Sequence, residues 1–221
     1  MPTIAIVGAG PGLSLSIAKV FGSHGFAIAL ISRNESKLGT LVAQLAESGT
    51  TATAYPADIM DRSSLTRALE QVASNCGTVD VLEYSPYSGL VRVSPLEVTV
   101  NNLQPQIEHH LYGAVTAVQA VLPAMLKAGS GSLLFTTGGG AITPYPMLST
   151  MNAAQAALRN WVINLNGVLS DRGVYAGNVA INVFIGAKAP EGVPHADPDD
   201  IAQVYWQLHT HRDPPEHVVT G

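Results

Sequence analysis

Three closely spaced glycines near the amino terminus have the spacing of a phosphate-binding turn. Gly8, Gly10 and Gly12 follow a short apolar run rich in β-branched residues, and a helix-like segment begins at Leu13. Glycine permits a tight turn at Gly8 and lets a pyrophosphate approach the backbone at Gly12, because neither residue carries a Cβ. The first N–H groups of a helix are unpaired and lie at the positive end of its dipole, which favours a bound phosphate. The order of strand, glycine turn and helix therefore predicts a dinucleotide site.

The residues after the next two apolar runs indicate which dinucleotide would bind. Ser32 and Arg33 follow the second run, where a site for NAD(H) usually has a carboxylate that binds a ribose hydroxyl. Ser32 does not repel a phosphate and Arg33 can bind one with two hydrogen bonds, so the pattern favours NADP(H). Asp58 and Ile59 follow the third run, where the carboxylate could accept a hydrogen bond from an adenine amino group. The alternatives are a solvated arginine for Arg33 and a helix cap or turn for Asp58.

Short apolar runs alternate with helix-like segments along the whole chain, and this alternation predicts how the candidate residues are positioned. Strands that are separated by single helices form right-handed crossovers, which give a parallel sheet covered on both faces. We therefore predict an α/β fold with a doubly wound parallel sheet (a Rossmann fold) and a single domain over residues 1–221. The predicted strands are residues 3–7, 26–32, 51–55, 79–84, 132–137, 175–184 and 217–219, and the predicted helices are residues 13–23, 35–48, 62–75, 95–127, 148–171 and 198–211.

The composition argues against several classes of function. The chain has 221 residues, of which 47% are hydrophobic and 12% are charged, and its net charge is −5. An acidic chain has no electrostatic basis for binding nucleic acid or an anionic membrane surface. Cys76 is the only cysteine, so an intrachain disulfide is excluded. We expect a cytoplasmic protein with no signal peptide, no membrane helix and no metal site, because the chain shows none of the corresponding patterns.

The sequence resembles the short-chain dehydrogenase/reductase family over essentially its whole length. The resemblance depends on the glycine turn, on Ser32, Arg33 and Asp58, and on four further stretches: residues 79–82, 121–125, 131–137 and 156–158. It implies a parallel Rossmann sheet and a nicotinamide cofactor. It also implies a homodimer or homotetramer built through the two long central helices, and the low charge of the chain agrees with a covered apolar surface.

The departures from the family pattern concern its catalytic residues. The family has a serine at the end of the fifth strand and then a tyrosine and a lysine four residues apart on the next helix. The resemblance places Thr137 at or next to the serine, Met151 at the tyrosine and Gln155 at the lysine, while His110 falls where a supporting asparagine is usual. Met151 has no proton to donate and Gln155 has no charge, although Gln155 could still bind ribose hydroxyls. Gly186, before an unusually short loop, is a further candidate for cofactor binding.

Four residues are candidates for a replacement catalytic group. Tyr84 ends the fourth strand, Tyr145 lies in the loop before the helix of Met151, Thr137 could contact a carbonyl, and His110 could move protons near neutral pH. The alternative for Tyr84 is an aromatic plug, the alternative for Tyr145 is packing of its loop, and the alternative for His110 is a structural histidine. The sequence therefore favours an NADP(H)-binding oxidoreductase of this family with a nonstandard active site. A noncatalytic NADP(H) sensor or interaction protein, or a lyase or isomerase on the same fold, remains open.

Overall fold

A sheet of seven parallel strands is the centre of the computed structural model, which describes residues 1–87 and 89–220. The strands are β1 (Thr3–Val7), β2 (Ala27–Ser32), β3 (Ala52–Pro56), β4 (Val81–Tyr84), β5 (Gly131–Gly138), β6 (Val174–Ile181), β7 (Phe184–Ile185), β8 (His195–Ala196) and β9 (Glu216–Val219). The order across the sheet is β3-β2-β1-β4-β5-β6-β9, while β7 and β8 form a separate ribbon. The predicted doubly wound α/β fold is confirmed.

Helices cover both faces of this sheet. They are α1 (Leu13–Ser23), α2 (Glu35–Glu47), α3 (Arg62–Cys76), α4 (Val100–Ile107), α5 (Gly113–Ala128), α6 (Ser149–Leu169) and α7 (Pro198–His211). Side chains alternate along β1, so that Ile4 and Ile6 join the core beneath α1, α2 and α7 while Ala5 and Val7 join the core beneath α3, α5 and α6. Both faces are apolar, as a buried parallel strand requires. The predicted bounds of β1, α1 and α7 agree with the structure.

The segment predicted as one helix over residues 95–127 is divided in the structure. A 3₁₀ turn at Pro95–Glu97 precedes α4, and a π-helical turn at Glu108–Tyr112 separates α4 from α5. Thr99 is the N-cap of α4, because its Oγ1 accepts a hydrogen bond from the N–H of Asn102 at 3.3 Å. The prediction of a single helix is wrong here, since apolar periodicity does not reveal a cap or an inserted residue within a helix.

The sixth strand also differs from its prediction. It ends at Ile181 rather than continuing to residue 184, because its neighbour β9 ends at Val219, the partner of Ile181 in the parallel ladder. Phe184 and Ile185 pair instead with His195 and Ala196. The apolar composition continues beyond Ile181, although both neighbouring strands, β5 and β9, pair with β6 only up to that residue, so composition alone overestimated the length of β6.

One helical stretch also differs from the expectation that the chain has no membrane-length apolar run. Val100–Ala128 is long and apolar enough to cross a membrane by length and composition, with a mean hydropathy of 1.3 in its most apolar window, of which 33% is buried. Its second half is a core helix, because Ala114, Ala117 and Val118 lie in the main apolar cluster.

Candidate functional site

The first glycine of the amino-terminal turn is required by the backbone geometry. Gly8 follows β1 with a φ of +96°, a conformation that side chains with a Cβ rarely adopt. Its N–H donates to the carbonyl of Ile31 at 2.9 Å, and a Cβ on Gly8 would collide with the backbone of Pro86. The turn therefore joins the ends of β1, β2 and β4 at the carboxyl edge of the sheet.

The remaining glycines of the turn leave space beside the backbone. Gly12 precedes α1 and is exposed, and a Cβ built on it would meet no other atom within 4 Å. Gly10 is also uncrowded, and the side chain of Leu13 is buried in the core, so any contact of Leu13 with a cofactor would involve its backbone. An open backbone at a helix amino terminus fits a pyrophosphate.

The ends of β2 and β3 lie side by side, since Ser32 pairs with Pro56 in the sheet. Arg33 is exposed next to Ser32. Asp58 stabilises a turn, which is the alternative to its role in adenine binding. Its Oδ1 accepts a hydrogen bond from the N–H of Met60 at 2.9 Å. The side chain of Ile59 belongs to the core, so a contact between Ile59 and a cofactor would involve its backbone.

His109 is a residue near this region that sequence reasoning set aside. Its ring is half-buried, and burial lowers the pKa of His109, while the charge of Arg33 lowers it further and the charge of Asp58 opposes the change. In the same π-helical turn, the ring centroid of Tyr112 lies 5.1 Å from the guanidinium carbon of Arg62, so the turn packs against the beginning of α3. The sequence signal was the adjacent pair His109 and His110, of which only His110 was a candidate because His109 was expected to face elsewhere on the helix.

Tyr84 is a buried aromatic side chain, which agrees with its alternative role as an aromatic plug and not with an accessible proton donor. The residue is 1% exposed, its hydroxyl donates to the carbonyl of His109 at 2.6 Å, and burial raises the pKa of the Tyr84 phenol far above its usual value. Its hydroxyl fits against Gly113, where a Cβ would overlap it. We therefore correct the assignment of Tyr84 as a proton donor, because it joins β4 to the π-helical turn.

His110 also differs from the sequence-based expectation. It is buried, and burial together with neighbouring His109 lowers the pKa of His110 to about 3. Its Nε2 has no hydrogen-bond partner among residues 1–87 and 89–220. Burial therefore favours the neutral ring, and the structure agrees better with the alternative of a structural histidine than with a proton carrier.

Thr137 faces the interior rather than the open end of β5. It is 2% exposed, and it exchanges hydrogen bonds of 3.1 and 3.2 Å with the side-chain amide of Asn178 on β6. The next residue, Gly138, faces α6 instead and donates its N–H to Oε1 of Gln155 at 2.9 Å. We therefore correct the assignment of Thr137, because the position that meets Gln155 has no side chain.

Met151 and Gln155 lie one helical turn apart on α6. Met151 is buried, and its Sδ accepts from the N–H of Val91 at 3.3 Å. The loop after β4 crosses the beginning of α6 here, where Val93 pairs with Leu148. Gln155 is half-buried and keeps its Nε2 as a donor after its Oε1 has accepted from Gly138. Neither Met151 nor Gln155 can supply a proton from an acidic group.

Two other predicted residues lie in the loops around this end of the sheet. Tyr145 is 57% exposed, while its carbonyl accepts from Nδ2 of Asn152 at 2.8 Å, so the backbone is held and the phenol is accessible. Gly186 belongs to the β7–β8 ribbon, and its N–H donates to the carbonyl of Ala196 at 2.9 Å. Only Tyr145 among the four predicted catalytic residues presents its reactive group to solvent.

A buried carboxyl group close to the same edge was missed by sequence reasoning. Glu83 on β4 is fully buried, and it accepts hydrogen bonds from Ser85 at 2.9 Å and from Thr136 at 3.2 Å. Thr136 also contacts the hydroxyl of buried Tyr205 at 2.6 Å. Burial raises the pKa of Glu83 to about 8, so the side chain is mainly protonated at neutral pH. The signal was a single acidic residue within an otherwise apolar strand.

Comparison with known sequences identifies the family of this site. The family described as short chain dehydrogenase matches residues 2–185, which include the glycine turn, the sheet from β1 to β6 and all the candidate residues except Gly186. The chain belongs to this family. An oxidoreductase of Sarocladium schorii, asL5, is 28% identical to this short-chain dehydrogenase over 173 residues, which cover 78% of this chain and 68% of the relative.

Solved structures share the fold of this short-chain dehydrogenase at low identity. L-Sorbose reductase of Gluconobacter frateurii, determined with NADPH and L-sorbose, has a TM-score of 0.90 and 19% identity, and the match covers 100% of this chain and 95% of that one. An NADPH-bound short chain oxidoreductase of Pseudomonas aeruginosa PAO1, described as containing an atypical catalytic center, has a TM-score of 0.88 and 17% identity over 98% and 94% of the chains. The family consists of oxidoreductases that use nicotinamide cofactors.

Proposed function

We propose that this short-chain dehydrogenase is an NADP(H)-dependent oxidoreductase with a nonstandard proton-donating site. The observation that carries the proposal is that Arg33 is exposed beside Ser32 at the end of β2, while the backbone at Gly12 is open before α1. A guanidinium at this position can bind a 2′-phosphate with two hydrogen bonds, and Ser32 adds no opposing charge. The NADPH-bound solved structures support this choice for the shared fold.

The described residues include a candidate partner for each part of the cofactor. Gly8, Gly10, Gly12 and the first N–H groups of α1 would hold the pyrophosphate, Arg33 the 2′-phosphate, and Asp58 and Ile59 the adenine. Nε2 of Gln155 would donate to a ribose hydroxyl, and Gly186 could offer the cofactor its carbonyl, because its N–H already donates to Ala196. When bound, the nicotinamide supplies hydride transfer.

The proton side of the reaction is the nonstandard part of the proposal. We propose that Met151 and Gln155 take the positions of the family's tyrosine and lysine, so the usual acidic phenol is absent. Of the predicted replacements, Tyr145 has the accessible hydroxyl, whereas Tyr84 and Thr137 are buried and bonded elsewhere. Tyr145 would hold a proton at its phenol oxygen and deliver it to a carbonyl oxygen at the mouth of the cleft.

Cofactor titration tests the role of Arg33. Wild-type protein should bind NADPH more tightly than NADH, as measured by the quenching of tryptophan fluorescence or by calorimetry. Arg33→Ala should weaken NADPH binding about tenfold or more and leave NADH binding unchanged, because only the phosphate contact is lost. Lys37→Ala removes a nearby exposed charge on α2 and serves as the control. Equal affinities of the wild type for the two cofactors would overturn the assignment.

A noncatalytic NADP(H)-binding protein is the second candidate. It is favoured by the burial of Met151 under the loop after β4, which leaves no acidic group at that point of α6. Such a protein would bind NADPH yet oxidise none of it in the presence of aldehydes, ketones or quinones. Turnover that is abolished by Tyr145→Phe, with NADPH affinity unchanged, would exclude this candidate.

We also propose that the protein is a homodimer or homotetramer that assembles through the central helices and works in the cytoplasm. Only 33% of the most apolar window of Val100–Ala128 is buried within the chain, so much apolar surface is left for a second subunit. Size-exclusion chromatography with light scattering tests this, and a monomeric mass at micromolar concentration would contradict it.

A further inference from the structure

Two polar side chains, one helical turn apart on α6, bind different strands of the sheet. Oε1 of Gln155 accepts a hydrogen bond from the N–H of Gly138 on β5 at 2.9 Å. Nε and Nη2 of Arg159 donate to Oε1 and Oε2 of Glu216 on β9 at 2.6 and 2.7 Å. Residues four apart lie on one face of a helix, so both contacts hold the same face of α6 against the sheet.

Glu216 also binds the strand that lies between β5 and β9. Nδ2 of Asn178 on β6 donates to Oε1 of Glu216 at 3.0 Å and to Oγ1 of Thr137 at 3.1 Å. Thr137 precedes Gly138 on β5, so the hydrogen bonds follow a closed path from α6 through β5, β6 and β9 and back to α6. The two contacts of α6 therefore belong to one hydrogen-bonded network.

The ion pair in this network is suited to fixing an orientation. Arg159 and Glu216 are joined by two parallel hydrogen bonds, a geometry that sets the direction of both side chains. These side chains are 29% and 18% exposed, so solvent screens the pair less than it screens a fully exposed one. Burial by itself would raise the pKa of Glu216, but hydrogen bonds from Arg159 and Asn178 lower the pKa below its usual value. Glu216 is therefore a carboxylate at neutral pH, and its loss would leave Arg159 without a counter-ion.

We infer that Arg159 and Glu216 are positioning residues for the cofactor, because they hold Gln155 where its Nε2 can donate to a ribose hydroxyl. The inference rests on the proposed function, in which Gln155 binds the ribose. The N–H of Gly138 already donates to Oε1 of Gln155, so the amide offers its Nε2 to a ligand. The position of this donor depends on where α6 lies relative to the end of β5, and the pair of Arg159 and Glu216 fixes that distance.

A glutamine needs closer positioning than the lysine that is usual at this point of the family pattern. A neutral amide binds through a directed hydrogen bond that weakens beyond about 3.2 Å, whereas an ammonium group is a point charge with three rotatable donors. Arg159 lies about 6 Å further along the same face of α6, close enough for its contact to control the position of Gln155. A displacement of about 1 Å at a binding group can remove much of its effect.

A double-mutant cycle on cofactor affinity tests the inference. Calorimetric titration with NADPH should show binding weakened about tenfold in Gln155→Ala, which loses the ribose contact, and about fivefold in Arg159→Met, which displaces it. The double variant should be weakened no more than about tenfold, because Arg159 acts through Gln155, whereas independent effects would multiply to about fiftyfold. Glu216→Gln keeps the shape of the pair and removes its charge, so it should weaken binding about threefold and replaces Arg159→Met in the cycle if that variant does not fold.

Asn166 provides a matched control on the same helix. Its Oδ1 accepts from the N–H of Ala176 on β6 at 3.1 Å, at a point about 16 Å along α6 from Gln155. Asn166→Ala should lower the urea midpoint, as Arg159→Met does, because each variant removes a contact between α6 and the sheet. It should nevertheless bind NADPH as the wild type does, since the contact that it removes is far from the proposed ribose site.

Three results would overturn the inference. They are wild-type NADPH affinity in Arg159→Met, multiplied losses in the double variant, and a loss of affinity in Asn166→Ala equal to that in Arg159→Met, which would indicate a general loss of stability. A wild-type protein that binds neither NADPH nor NADH would remove the proposed function, and the inference with it. A wild type that binds both cofactors equally would contradict only the role of Arg33, because the cycle with NADH tests the same nicotinamide ribose.

Discussion

The two ends of the proposed cofactor cleft differ in how their candidate residues are placed. At the end formed by β1, β2 and β3, Gly12 is open to solvent and Arg33 is exposed. At the end formed by β4, β5 and α6, Tyr84, Thr137 and Met151 are buried and hydrogen-bonded. The difference teaches that the two ends offer different chemistry: exposed backbone and charge can bind a phosphate, whereas proton transfer needs an accessible acid, which the buried side chains of Tyr84, Thr137 and Met151 do not offer.

The largest expected effect concerns the glycine turn. Gly8→Val should destabilise the protein by about 5 kcal/mol or prevent folding, because a β-branched residue would be strained at this φ and would collide with Pro86. Gly12→Ala should leave the urea midpoint nearly unchanged, since its Cβ has open space, yet it should weaken NADPH binding. If Gly12→Ala binds NADPH as the wild type does, the pyrophosphate does not approach that residue.

The buried end should show a strong pH dependence through Glu83. Its pKa is raised from 4.5 to about 8 in the folded protein, so its contribution to stability is present below pH 4.5 and is lost as the pH rises through 8. Glu83→Gln, a neutral isostere, should remove this loss. The stability difference between variant and wild type should change on the order of 4 kcal/mol between pH 4.5 and 8.5 in urea unfolding. The exposed variant Glu70→Gln is the control, and parallel pH profiles for wild type and Glu83→Gln would contradict the prediction.

A smaller effect is expected at Tyr84. Tyr84→Phe removes the hydrogen bond to the carbonyl of His109 and should destabilise the protein by about 1–2 kcal/mol, because the buried carbonyl loses a partner. The exposed Tyr87→Phe should change stability little. NADPH oxidation should persist in Tyr84→Phe. A variant with normal stability and no turnover would restore Tyr84 as a proton donor and remove the contrast between the two ends.

The smallest expected effect is the absence of a titration at His110. With a pKa of about 3, its ring is neutral from pH 5 to pH 8, and its NMR ring resonances should not move over that range. The variant His110→Asn would assign the signal. A titration midpoint of these resonances near pH 6.5 would show that the ring of His110 is accessible to solvent. The buried end would then contain a histidine that can donate a proton near neutral pH.

The fold could be predicted from local patterns, although the reacting end could not. β1, α1 and α7 have their predicted bounds because a continuous apolar run, glycine breaks and a proline at Pro198 act within a few residues. The π-helical turn and the β7–β8 ribbon were missed, since each depends on partners distant in the sequence. Thr137 and Gly138 differ by one position, and one residue along a strand reverses the face on which a side chain lies.

The sequence by itself determined the doubly wound sheet, the glycine turn and the charge at Arg33, because strand periodicity, glycine content and side-chain chemistry are local properties. Only the tertiary structure decided that Tyr84 and Thr137 are buried and that burial raises the pKa of Glu83. The burial and the pKa of a side chain depend on which elements, distant in the sequence, pack around it. A local sequence pattern does not contain that information.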